Sequence, residues 1–242
     1  MTKLFRRPDG NEVQYIRTST LAHYWYCAVQ AWLQAGGIDT PSNEAINIGK
    51  AIHDSITASR KSSKWEDEFS TFLSQFLVTR DTGAGGTGLR GSEDKVYQRA
   101  WHDGKTIIGH VTTHGIDDFE VNPQREVIFV EYKTTAQRVI DYFKLMPAVF
   151  QVKVSMWILE PYLQAGGYKI SKGKIVFLNR KGEPLGEKLV EDYTAANVEA
   201  DIARILAQFR DPTTLIPPAR HKCLYCAEIF KSKCPFQQKV KT

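Results

Sequence analysis

The chain has 242 residues, enough to bury a sizeable core in one or two domains. Its 42% hydrophobic and 24% charged residues exclude disorder, a collagen-like fibre and a disulfide miniprotein. No apolar run reaches the roughly 20 residues of a membrane helix. The net charge of +5 is carried by Pro217 to Thr242, where Arg220, Lys222, Lys231, Lys233, Lys239 and Lys241 meet one acid, Glu228; such a segment suits a polyanionic partner.

The opening stretch, Met1 to Gly10, is polar and basic with no apolar segment behind it. No secretory leader is expected, and the expected setting is the cytosol, where thiols stay reduced. No internal repeat is present. Thr18-Ser19-Thr20 offers N-caps, and Leu21, Tyr24, Trp25, Trp32 and Leu33 fit a helix with one apolar face, closed by Gly36-Gly37. Ile48, Ile52 and Ile56 recur every four residues and predict a second helix. Trp65 to Val78 reads as a third, with Phe69, Phe72, Leu73, Phe76 and Leu77 inward.

Arg80 to Ser92 is a glycine-rich loop. Its Gly83-Ala84-Gly85-Gly86-Thr87-Gly88 matches the dinucleotide-binding pattern but lacks the strand before and the helix after, so it reads as a connector. Lys95 to Trp101 and Thr106 to Val121 read as strands around the turn at His102–Lys105. A turn at Asn122-Pro123-Gln124 leads to a third strand, Val127 to Lys133. Tyr142 to Leu163 reads as a helix with Pro147 in its first turn. Lys174 to Leu178 is a short strand, and Tyr193 to Phe209 a late amphipathic helix. This order predicts one α/β domain with a mixed sheet.

The strand Val127-Ile128-Phe129-Val130-Glu131-Tyr132-Lys133 carries the chemistry. Alternation puts Val127, Phe129, Glu131 and Lys133 on one face. Both faces begin apolar, as in a strand buried on two sides. An acid and an amine are thus carried out of a core onto one surface. Asp118, on the strand before, could stand beside Glu131. Two carboxylates together repel unless a divalent cation joins them, and Lys133 would lie beside that cation. A surface Glu–Lys pair is the bland alternative.

Gly115-Ile116-Asp117-Asp118 followed by Val130-Glu131-Tyr132-Lys133-Thr134-Thr135 resembles the PD-(D/E)XK nuclease superfamily, in its RecB-like branch. The resemblance implies Asp118 as metal ligand, with Asp117 in reserve, and Glu131, Lys133 and the backbone carbonyl of Tyr132 at the same site. Gly49-Lys50-Ala51-Ile52-His53 is similar to the branch's upstream helix and makes His53 a further ligand. Gln151 matches its glutamine helix as a substrate contact, although Ser155 stands where that pattern has tyrosine.

Cys223-Leu-Tyr-Cys226, Cys234 and the distant Cys27 signal a metal site more than disulfides. Spacing leaves zinc and an iron–sulfur cluster equally open. RecB-like nucleases with an iron–sulfur cluster carry one early and three late cysteines, and Ser19-x-Leu21-x-x-Tyr24-x-x-Cys27 is similar to their first-cysteine motif. The small size most resembles the CRISPR-associated Cas-four type. The resemblance implies a restriction-endonuclease-like α/β core with a mixed central sheet flanked by helices, closed by an N- and C-terminal 4Fe–4S module. It implies a single nuclease domain over 1–242: a helical part at about 18–79, a core at about 93–180 and a cluster segment at about 193–236. It further implies a magnesium- or manganese-dependent DNA exonuclease or endonuclease, acting chiefly on single strands, with CRISPR integrase proteins as candidate partners and no membrane. A virus- or plasmid-borne nuclease of replication or repair, and a DNA-binding adaptor without turnover, are the alternatives. The aromatics His23 to Tyr26 are expected to pack rather than to line a DNA channel.

Overall fold

The computed structural model describes residues 3–6, 12–38, 44–59, 61–81, 93–135, 140–217, 223 and 226–236. A ribbon of β1 (Phe5–Arg6) and β2 (Glu12–Val13) precedes β3 (Tyr15–Arg17). Then come α1 (Thr18–His23), α2 (Ala28–Ala35), α3 (Glu44–Ser59) and α4 (Lys64–Ser74). Strands β4 (Val78–Asp81), β5 (Glu93–Asp103), β6 (Thr106–Thr113), β7 (Asp118–Val121) and β8 (Glu126–Thr134) lead to α5 (Tyr142–Ala165). Last are β9 (Lys169–Leu178), β10 (Pro184–Val190), α6 (Ala195–Arg210) and α7 (Glu228–Lys231).

The strands form two mixed sheets rather than the one expected. One has the order β10-β9-β8-β7, the other β3-β6-β5-β4. In the first, β8 and β9 run parallel and the outer pairs are antiparallel. In the second, only β3 and β6 are parallel. The fold is α/β, with mixed sheets flanked by helices.

Helix α5 runs between the sheets. Asp141 caps it by accepting from the Lys144 N–H at 3.0 Å, which puts Pro147 beyond the first turn, contrary to expectation. From Ala148 to Leu163 most of its side chains are buried whatever their direction, as a helix packed on several sides requires. Val152 and Met156 meet β9 at Gly173; a Cβ there would lie 2.4 Å from Val152 Cγ1, so the missing side chain lets helix and sheet close up. On the other side Trp157 meets Trp101 of β5, ring centroids 6.0 Å apart. The Arg99 guanidinium sits 4.2 Å over the Trp157 ring and donates to its carbonyl at 2.6 Å.

Three further expectations are corrected. The first predicted helix breaks at Tyr24–Tyr26, and Cys27 begins α2 from an extended N-cap. Tyr24 and Trp25 turn to Phe209 and Phe150 instead, because consecutive aromatics cannot all face inward from one helix. The third helix stops at Ser74, since Val78 and Thr79 pair with Val96 and Lys95. It starts from a capping box in which Ser63 and Glu66 bond each other's backbone N–H. The stretch Thr106 to Val121 is not one strand. It breaks at His114–Asp117, where Gly115 takes a φ of +114° that side chains disfavour. The break passes the chain from one sheet to the other. Most of the glycine-rich loop, 82–92, lies outside the described residues.

Candidate active site

The site lies at the end of β8. Glu131 and Lys133 share the face that looks toward α5. Glu131 is 2% exposed. Its Oε1 accepts from Lys133 Nζ at 2.5 Å and from Gln151 Nε2 at 2.7 Å, and the same ammonium donates to Gln151 Oε1 at 3.0 Å. Acid, ammonium and amide thus close a ring across strand and helix. Burial holds the Glu131 carboxyl above the ordinary carboxylate range, and Lys133 opposes that shift. Both donors end on Oε1, which leaves Oε2 without a hydrogen bond among the described residues.

The strand register decides between the two aspartates. In the β7–β8 hairpin Val121 faces Val127 and Asp118 faces Val130. Asp117 lies one residue before the paired segment, in the bend, and its charge acts on Glu131. Cross-strand partners share a face, so Asp118 belongs with Val130 on the other side of the sheet. Its Oδ2 accepts from the Tyr132 hydroxyl at 3.0 Å and its Oδ1 from the Phe119 N–H at 2.8 Å. The expectation that Asp118 stands beside Glu131 is therefore corrected: the reserve residue, Asp117, takes that place. Its Oδ2 accepts from the Tyr132 N–H at 2.7 Å and lies 3.5 Å from His53 Nδ1. The Asp117 carboxylate holds the His53 imidazole above its ordinary pKa, against burial and the Lys133 charge.

Helix α3 brings His53 to this point through Gly49. A Cβ at Gly49 would lie 2.8 Å from Thr134 Oγ1, so the missing side chain lets α3 close on β8. Tyr132 joins the parts. Its N–H holds Asp117, its hydroxyl holds Asp118, and its ring meets His53 edge-on at 6.1 Å. Ser155 is fully buried, its hydroxyl 3.4 Å from Thr113 Oγ1. Thr113 in turn bonds Gly115, donating to its carbonyl at 2.8 Å. Ser155 thus supports the turn that leads to Asp117, a link no sequence pattern announced.

The cysteines lie elsewhere. Cys27 is buried at the start of α2. Burial pushes its thiol up, against the neighbouring backbone N–H groups of Gln30 and Val29, while Cys226 and Cys234 add to the rise. The Tyr26 phenol is raised by burial and also feels Cys27, Cys226 and Cys223. The other three cysteines thus act electrostatically on this end of α2, and none of the four is in a disulfide. Gln30 Nε2 donates to Cys226 Sγ at 3.0 Å, and Gln30 Oε1 pairs with His23 Nε2 at 3.0 Å. Among the described residues, no three His, Cys, Asp or Glu side chains stand converged as a preformed metal cage. At Glu131 the reason is visible: an ammonium takes the oxygen a cation would share. Of the aromatics before Cys27, Tyr24 is buried and donates to Gln208 Oε1 at 3.0 Å. Arg204 lies 5.1 Å over the Trp25 ring. The basic tail falls largely outside the described residues.

No helix among the described residues is long and apolar enough to cross a membrane. No family model and no curated protein matches the chain. Among solved structures, SSO0001 is similar at 16% identity and a TM-score of 0.52, over 94% of this chain and 88% of that one. A protein from Eubacterium rectale named "Putative exonuclease" is similar at 10% identity and a TM-score of 0.43, over 88% of each chain, a score too low to establish a common fold. The likeness to SSO0001 is one of fold.

Proposed function

We propose that the chain is a metal-dependent nuclease that hydrolyses phosphodiester bonds of DNA, chiefly single-stranded. The observation that carries this reading is Glu131, a buried carboxylate clasped on one oxygen by Lys133 and Gln151, with the Asp117 charge acting on it from the bend before β7. The donor set fits magnesium or manganese: two carboxylates, an imidazole whose Nδ1 is already engaged, and the carbonyl of Tyr132. Asp117, Glu131, His53 and that carbonyl would hold the ion. When bound, it supplies Lewis acidity toward a phosphoryl oxygen and toward water. Lys133 keeps its ammonium beside the reacting phosphate and stabilises charge gathering on its oxygens. Gln151 orients Lys133 and offers its amide to the substrate. Asp118 has no part in this set and serves to fix β7.

We assign Cys27, Cys223, Cys226 and Cys234 to a structural 4Fe–4S cluster joining α2 to the C-terminal segment. The spacing and the electrostatic action of the other three cysteines on this end of α2 support four-sulfur ligation, and the resemblance favours iron over zinc. Brown colour and an iron content near four per chain test this; stoichiometric zinc without colour contradicts it. A role in CRISPR spacer acquisition with integrase proteins rests on the resemblance alone, and a virus- or plasmid-borne nuclease would use the same chemistry.

The test of the activity is cleavage of labelled single- and double-stranded DNA with manganese, using wild type and Glu131→Ala together. Products from wild type and none from the variant are expected. Binding by wild type without products would make the chain a DNA-binding adaptor and end the nuclease reading.

A further inference from the structure

Beyond the acidic pair, a second feature is built at the same end of the sheet. It is the tip between β9 and β10, residues 179–183. Two independent contacts tie it to the candidate active site. Along the sheet, Leu178 pairs with Thr134, the residue after Lys133, and its carbonyl accepts from the Thr135 N–H at 2.8 Å. Across the helix layer, a Cβ on Gly182 would lie 3.5 Å from Ile52 Cγ2, next to His53. By strand rise and spacing, the backbone of Arg180 lies on the order of 10 Å from that of Lys133.

The tip is rigid. The Asn179 side chain accepts from the N–H groups of Lys181 at 2.8 Å and Glu183 at 3.0 Å, and donates to the Glu183 carboxylate at 2.6 Å. Gly182 takes the positive φ of +82° that closes the turn. What the tip displays is charge: Arg180 and Lys181 are both exposed, and neither forms an ion pair among the described residues. Within the tip itself, the acid Glu183 is engaged by Asn179. Lys50, also exposed, lies one helical turn before His53. The cations thus rim the carboxyl ends of the parallel strands β8 and β9, where ligands of open α/β sheets bind.

From this placement we infer that the β9–β10 tip is a phosphate-binding arm, holding the backbone of single-stranded DNA as it passes toward Glu131 and Asp117. The inference rests on the proposed nuclease reading and adds the surface that receives the substrate. Two cations on a stiff turn, adjacent to a site meant for one scissile phosphate, match a chain of regularly spaced phosphates better than a single small anion.

The test uses the full chain with Arg180→Ala/Lys181→Ala and, separately, Arg180→Glu/Lys181→Glu. Binding of a labelled single-stranded oligonucleotide is measured at several salt concentrations, with calcium replacing manganese to prevent turnover. The alanine pair should bind roughly 5- to 10-fold more weakly, with a salt slope shallower by about 1.4 for two lost phosphate contacts. The glutamate pair should bind more weakly still. Manganese affinity, read separately, should match wild type. Unchanged affinity and slope in both variants overturn the inference, as does a loss seen only with duplex DNA. If wild type cleaves and the variants bind equally well, this inference alone fails. If wild type neither binds nor cleaves DNA, the nuclease reading fails with it.

Discussion

The two candidate centres are built in opposite ways. Around Glu131, regular elements carry most of the groups: β8 sets Glu131 and Lys133, α5 sets Gln151 and α3 sets His53, while Asp117 is held in the bend before β7 by the Tyr132 N–H. Around the cysteines only α2 is a substantial element. The other three thiols hang on short turns, such as Cys226 N–H to the Cys223 carbonyl at 3.3 Å and Cys234 N–H to the Lys231 carbonyl at 3.1 Å. The first centre is held by the fold. The second, on our reading, helps to hold the fold.

That contrast can be tested by its consequences. The largest effect belongs to the chemistry. Lys133→Ala should reduce cleavage by roughly 10²–10⁴-fold at a temperature where the variant is still folded, and should lower Tm by leaving buried Glu131 without its cation; undiminished cleavage removes Lys133 from the mechanism. Next comes stability at the cysteines. Cys27→Ser removes one link between α2 and the C-terminal segment, and loop-closure reasoning puts the loss at about 5 kcal/mol. In a chain of this length that lowers Tm by roughly 10–20 °C. In chelated, cluster-free protein the same substitution should shift Tm far less; an equal shift in both forms would mean that Cys27 only packs. The smallest effect tests the clasp between the aspartates. Tyr132→Phe frees Asp118 without touching the Asp117 contact to the backbone N–H, so manganese affinity should fall by only about 2- to 5-fold, the worth of one hydrogen bond. A complete loss would show that the metal site depends on Asp118, the residue this hydroxyl holds.

The sequence made the strand Val127 to Lys133 and the long helix after it legible, because both are continuous, strongly apolar runs bounded by turn residues. The break at His114–Asp117 was not legible. Apolar and polar residues alternate well enough from Thr106 to Val121 to pass for one strand, and only Gly115 marks the bend. With the break unseen, the choice between Asp117 and Asp118 hung on the family pattern, which pointed to Asp118, the residue that pairs with Val130 rather than Glu131. A signal did exist. The turn Asn122–Arg125 pairs Val121 with Val127, and counting back from that pair places Asp118 across from Val130, not Glu131. A one-residue slip exchanges faces, so the turn length carried the answer. Strand β10 was missed because its Pro184-Leu-Gly-Glu-Lys segment is an exposed edge with little alternation.

The central claim is that Asp117, and not its neighbour, shares a cation with Glu131. Manganese titration and DNA cleavage of Asp117→Asn and Asp118→Asn, measured side by side, test it most directly. The account predicts that Asp117→Asn loses metal affinity and cleavage by at least about 100-fold, while Asp118→Asn stays within several-fold of wild type. The reverse pattern would contradict it and move the metal site to the opposite face of the sheet.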